Sequence, residues 1–67
     1  MNTRITVGLI PKVEADLASL STDLGMSKAD IINRAITLYR FVQDELGAGG
    51  GILVQDTAGE VERIRLL

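Results

Sequence analysis

Asn2, Arg4, Thr6 and Gly8 recur at every second position, and Ile5, Val7 and Leu9 fill the positions between them. In an extended segment successive side chains point to opposite faces, so one face is apolar and the other offers a guanidinium and a hydroxyl. The chemistry available to that polar face is hydrogen bonding. The composition excludes most covalent alternatives: the chain has no cysteine and no histidine. Thiolate zinc sites, disulfides, Cys/His nucleophilic pairs and histidine acid/base catalysis are therefore absent together. The glycines at 49–51 precede a strand-like run and not a helix, so they do not form a phosphate loop. We expect no enzyme, no cofactor and no metal.

A strand must have a neighbour, because its edges carry backbone donors and acceptors that need partners. The nearest candidate is the same segment of a second copy. Size points the same way: 67 residues make one domain at most, and a core that small is marginal without a disulfide, a metal or a partner subunit. No apolar run approaches the roughly 20 residues that cross a bilayer, and no signal-peptide core lies between the first charge and Pro11, so a cytoplasmic protein is expected.

Two helical patterns follow the strand. Pro11 suits the first position of a helix, where its missing N–H would be unpaired anyway. Val13, Leu17, Leu20 and Leu24, with Ala18, then form an apolar stripe. Gly25 is the expected left-handed stop. Ser27 is an N-cap, and Asp30 three residues on is placed to complete a capping box. The second helix should run from Lys28 to about Leu46. Its apolar residues Ile31, Ile32, Ala35, Ile36, Leu38, Tyr39, Val42 and Leu46 cover a wide arc, which calls for cover on more than one side. Asp30 with Arg34 and Arg40 with Asp44 are spaced for surface ion pairs. The run 47–51, Gly-Ala-Gly-Gly-Gly, reads as a flexible joint. Beyond it, Ile52 to Gln55 and Val61 to Leu67 read as a hairpin around Asp56-Thr57-Ala58-Gly59, with Asp first and Gly last as a type I turn prefers.

Seven basic residues stand against nine acidic ones, a formal net charge of −2. Arg4, Lys12 and Lys28 nevertheless stand at or near the starts of the strand and the two helices, while Asp16, Asp23, Asp44, Glu45, Glu60 and Glu62 lie elsewhere. An uneven distribution of this kind presents a basic face, which a dimer doubles.

Arg4-Ile5-Thr6-Val7-Gly8-Leu9, the helix opening near Pro11, Gly25-Met26-Ser27-Lys28 between the helices, and Ala35 followed by Tyr39 resemble the ribbon-helix-helix family of small bacterial and plasmid repressors, nearest its CopG-type members. The resemblance covers residues 2 to about 45. It implies a mainly α protein with short β, a β-α-α intertwined homodimer over residues 1–46. To this the chain adds the joint at 47–51 and a C-terminal β-hairpin over 52–67. It also implies a function: transcriptional repression, with the paired N-terminal strands inserted in the DNA major groove. By that resemblance Arg4, Thr6 and Gly8, with Asn2, face base edges. The start of the second helix, at Ser27 and Lys28, meets a phosphate, and Lys12 is a further candidate for that role. Ile5, Val7, Leu9, Ile31, Ile32, Ala35, Leu38 and Tyr39 make the dimer core. Gly8 departs from the family, which usually has a polar side chain there; bare backbone could approach DNA closely instead. The hairpin also departs from the minimal pattern. It would serve as a stabilising flap, as an arm for a second dimer on adjacent DNA, or as an arm for a protein partner such as a toxin, with Ile64, Leu66 and Leu67 as its apolar surface. The alternative function is therefore an antitoxin or interaction module that binds a partner through residues 52–67 and DNA only weakly. A monomeric domain whose N-terminal strand pairs with the hairpin is a third possibility.

Overall fold

The computed structural model describes residues 2–64, and they run helix, helix, strand, strand: α1 (Pro11–Leu24), α2 (Lys28–Gly47), β1 (Ile52–Gln55) and β2 (Val61–Ile64). The chain is mainly helical with short β. Arg65, Leu66 and Leu67, expected to continue the second strand, lie outside the described residues, as does Met1. No helix among the described residues is long and apolar enough to cross a membrane.

The described residues divide into two compact units, the first through Asn33 and the second from Arg34, so that the boundary falls inside α2. In the first unit α1 begins as expected at Pro11, after Ile10 in an extended conformation. Its end is a Schellman stop. Gly25 sits at φ 61°, its N–H donates to the Thr22 carbonyl at 3.4 Å, and the Met26 N–H donates to the Ser21 carbonyl at 3.2 Å. Ser21 adds a bond the sequence did not announce, donating its hydroxyl to the Met26 carbonyl at 2.6 Å. The Ser27 cap opens α2: its Oγ accepts the Asp30 N–H at 3.1 Å. The reciprocal half of the expected capping box is not made among the described residues, since an aspartate is one methylene shorter than the glutamate that usually reaches back. The apolar stripe of α1 contributes no buried residue. Among the described residues of this unit the one buried hydrophobic is Ile31, at 8% exposure.

Residues 2–10 belong to neither described strand. The strand expected at Arg4–Leu9 has no ladder among the described residues, where the sheet holds only β1 and β2. The third possibility above, a monomer whose N-terminal strand joins the hairpin, needs a third strand in that sheet.

In the second unit α2 runs one residue past Leu46 and ends on a second Schellman stop. Gly49 takes φ 88°, its N–H donates to the Leu46 carbonyl at 3.1 Å, and the Gly50 N–H donates to the Glu45 carbonyl at 2.9 Å. A Cβ on Gly50 would lie 3.0 Å from that carbonyl oxygen. The glycine run expected to be a flexible joint is thus bonded back onto the helix. Of the two ion pairs expected on α2, Arg40 to Asp44 forms at 2.6 Å, and Asp30 to Arg34 does not form among the described residues.

The hairpin register pairs Ile52 with Ile64, Leu53 with Arg63, Val54 with Glu62 and Gln55 with Val61. Its turn closes by a bond from the Gly59 N–H to the Asp56 carbonyl at 3.1 Å. Neither Thr57 nor Ala58 has positive φ, which leaves the expected type I turn; Gly59, at φ 88°, adds the left-handed bulge that restores strand pairing. The Asp56 carboxylate accepts the N–H groups of Ala58 and Glu60, each at 2.9 Å.

Candidate functional site

The candidate site begins with the alternating N-terminal residues. Ile5 is 79% exposed, Val7 64% and Leu9 38%, so the apolar face of the segment is uncovered in the single chain. Burying such side chains is worth about 1.5 to 3 kcal/mol each, so this face is a standing demand for a covering surface.

The polar face divides. Asn2 and Arg4, with Thr3, line one recess together with Ala29 and Asn33 of the first turns of α2. Two residues assigned to base edges therefore lie beside the helix start assigned to a phosphate. Lys28 lies on another side, in a recess with Val7, Leu9, Glu14 and Leu17. Thr6 and Gly8 line neither recess. Gly8 has no positive φ, and a Cβ built on it meets nothing within 4 Å, so neither the backbone conformation nor the packing of the chain requires glycine there.

The charges also divide. Lys12 donates to Asp16 Oδ2 at 2.8 Å, an exposed (i, i+4) pair that helix spacing allows and the sequence alone did not single out. Arg4 and Lys28 enter no ion pair among the described residues. Of the three cations assigned to nucleic acid, Lys12 alone is already engaged with an acid. At the start of α2 the Ser27 hydroxyl holds the Asp30 N–H, and the N–H groups of Lys28 and Ala29 make no backbone bond among the described residues, as the geometry of a first turn dictates. Those donors and the helix dipole favour an anion. Asp30, in the same turn, is the negative charge such an anion would meet.

Of the residues assigned to a dimer core, Ile31 is already buried in the single chain. Ile32, Leu38 and Tyr39 are exposed, and so is Ala35. Phe41 stands outside every role assigned from the sequence. It is the one phenylalanine of the chain, it is 56% exposed, and its neighbours one helical turn away are Thr37 and Glu45. A helical wheel identifies it, as an aromatic ring set off the apolar stripe among polar residues. Among the described residues no cluster of three or more acidic side chains is arranged to hold a metal ion. Comparison with protein-family models, with curated proteins and with solved structures found no match for this chain.

Proposed function

We propose that the chain is a sequence-specific DNA-binding repressor of ribbon-helix-helix type, acting in the cytoplasm as a homodimer and not as an enzyme. The observation that carries this reading is the N-terminal segment: apolar side chains uncovered on one face, no strand partner among the described residues, and Asn2 and Arg4 beside the start of α2. A second copy satisfies the segment by pairing with it antiparallel. Such a two-stranded ribbon fits the major groove of B-DNA. Arg4 then addresses guanine O6 and N7, Thr6 offers a hydroxyl and a methyl group for thymine, and Gly8 lets the backbone come close. The open N–H groups at the start of α2, with Lys28, hold a phosphate and fix the register without reading sequence.

The test is a gel shift with the DNA upstream of the coding region, repeated at several salt concentrations, with light scattering of the same preparation. The expected result is a dimer that prefers one DNA segment and binds more weakly as salt rises. A monomer, or equal binding to all DNA, contradicts the reading.

A second reading is favoured by the outer face of the hairpin, where Leu53 and Val61 are exposed. In it the hairpin binds a protein partner, as an antitoxin does, and DNA binding is secondary. Retention of the protein on operator DNA, undiminished when Leu53 and Val61 are made polar, would be expected of the repressor alone.

A further inference from the structure

The last turn of α2 is negative and has no cation of its own. The helix dipole places its negative end there, Asp44 and Glu45 add two carboxylates, and the turn contains no basic residue. Arg40, one turn earlier, is bonded to Asp44. Glu45 enters no ion pair among the described residues, and its Oε2 lies 3.4 Å from where a Cβ on Gly50 would stand. At the next residue the opposite charge arrives from another element: the Arg63 guanidinium of β2 lies over Gly51, where a Cβ would fall 2.8 Å from Nη2 and 2.9 Å from Nε.

We propose that Arg63 is an electrostatic latch: from β2 it supplies the positive charge that the C-terminal end of α2 lacks, and it thereby holds the hairpin at one angle to the helix with a grip that weakens as salt rises. Every group in the latch belongs to one chain, so the inference stands apart from the homodimer reading.

The first support is where the arginine sits. The bonds of the glycine stop end at the Gly50 N–H, and the strand ladder begins at Ile52. Among the described residues Gly51 is therefore the one position of the joint that neither the stop nor the ladder holds, and a hinge would form there. The planar, weakly hydrated guanidinium suits contact with bare backbone, and a side chain at 51 would push it away.

The second support is that the hairpin is then held from both faces. Successive residues of β2 point to opposite sides. Ile64, with its cross-strand partner Ile52, lines a recess against Leu38, Tyr39 and Val42 of α2, and Arg63 acts from the other side. The third support is what Arg63 does not do. It makes no ion pair and no side-chain hydrogen bond among the described residues, so no single carboxylate claims its charge and the field of the helix end is what it answers. Arg63 is exposed, so dissolved ions reach it and screen that attraction.

Pulsed electron paramagnetic resonance tests the latch. The chain has no cysteine, so spin labels attach only where Arg34→Cys in α2 and Thr57→Cys in the hairpin turn place them; dilution with unlabelled chain confines the reading to distances within one copy. One narrow distance is expected at low salt. Arg63→Gln, which keeps a polar stem without the charge, should lower the ratio of held to loose hairpins about two- to fivefold, the effect of one charge at a helix end. Molar salt should loosen the unsubstituted hairpin likewise and leave Arg63→Gln as it was. Glu62→Gln, a charge change at the neighbouring residue, should not loosen it. Amide exchange within β1 and β2 separates a hairpin that swings from one that unravels, and should be unchanged in Arg63→Gln. Gly51→Ala, which crowds the guanidinium out and leaves β2 unaltered, should loosen the hairpin by a similar factor. A broad distance distribution in the unsubstituted chain at low salt, or narrow distributions in both Arg63→Gln and Gly51→Ala, would overturn the latch. So would faster exchange throughout the strands of Arg63→Gln with no loosening in Gly51→Ala, which would make Arg63 a strand-pairing residue only.

Discussion

Arg4 and Gly8 lie close together in the chain and make opposite predictions. Arg4 has no ion-pair partner among the described residues and lies beside Ala29 and Asn33. Its replacement therefore disturbs no ion pair that holds the fold. Arg4→Ala is expected to cost about 1 to 3 kcal/mol of binding to the preferred DNA and to relax specificity at one base pair per half-site. Fluorescence anisotropy across single-base operator variants measures this, and unchanged affinity would remove Arg4 from the reading face. At Gly8 a side chain has space in the chain. Gly8→Val should leave the unfolding free energy measured in urea within the roughly 0.5 kcal/mol of an ordinary surface change. If bare backbone lies against DNA, the same substitution should weaken operator binding by about tenfold or more, an effect near ~1.4 kcal/mol. Full affinity in the valine variant would show that the glycine serves no close approach.

The two elements most sharply bounded by the sequence are the start of α2 and the hairpin turn, because each is specified within about five residues. Ser27 caps one, and Asp56 with Gly59 closes the other. For α2, Lys28→Ala should weaken binding to all DNA sequences alike and lower the salt slope by about 1 for each phosphate that the lysine no longer neutralises. An effect confined to one sequence would contradict a phosphate role. For the hairpin, Asp56→Ala removes the acceptor of two backbone N–H groups. The expected cost is about 1 to 3 kcal/mol, the range for unsatisfied donors, reduced where water replaces the carboxylate. Amide hydrogen exchange should locate that loss in β1 and β2 while the first turns of α1 keep their protection; a uniform loss would mean that the hairpin does not open by itself. The same locality explains what was legible. Pro11, Gly25, Ser27 and the Asp56–Gly59 turn carry their geometry in their own covalent structure or in a bond to a near neighbour. The Asp30 return bond and the Asp30–Arg34 pair were expected from spacing alone, and spacing sets only opportunity. Side-chain length and local rotamers decide whether the bond forms.

At the scale of the molecule the dominant quantity is uncovered apolar surface: two residues of the described chain are buried hydrophobics, while Ile5, Val7, Leu38, Tyr39 and Phe41 are more than half exposed. A second copy is the cover we propose, and the N-terminal segment offers a handle on it. Val7→Asp introduces a charge on the segment face that pairing would bury, and should shift the light-scattering mass from two chains toward one, with operator binding abolished in parallel. A Val7→Asp protein that stays dimeric would mean that the segment is not shared between copies. By itself the sequence determined the limits of the helices, the turn of the hairpin, and the absence of cysteine and histidine chemistry, since each follows from residue type or from bonds spanning a few positions. Only the tertiary structure decided the hairpin register, that the glycine run is a bonded helix stop, that Ile52 and Ile64 close a recess with α2, and that Asn2 and Arg4 stand beside its first turns. Those are relations between residues far apart in the chain or set by backbone angles, and neither hydrophobic period nor composition encodes them.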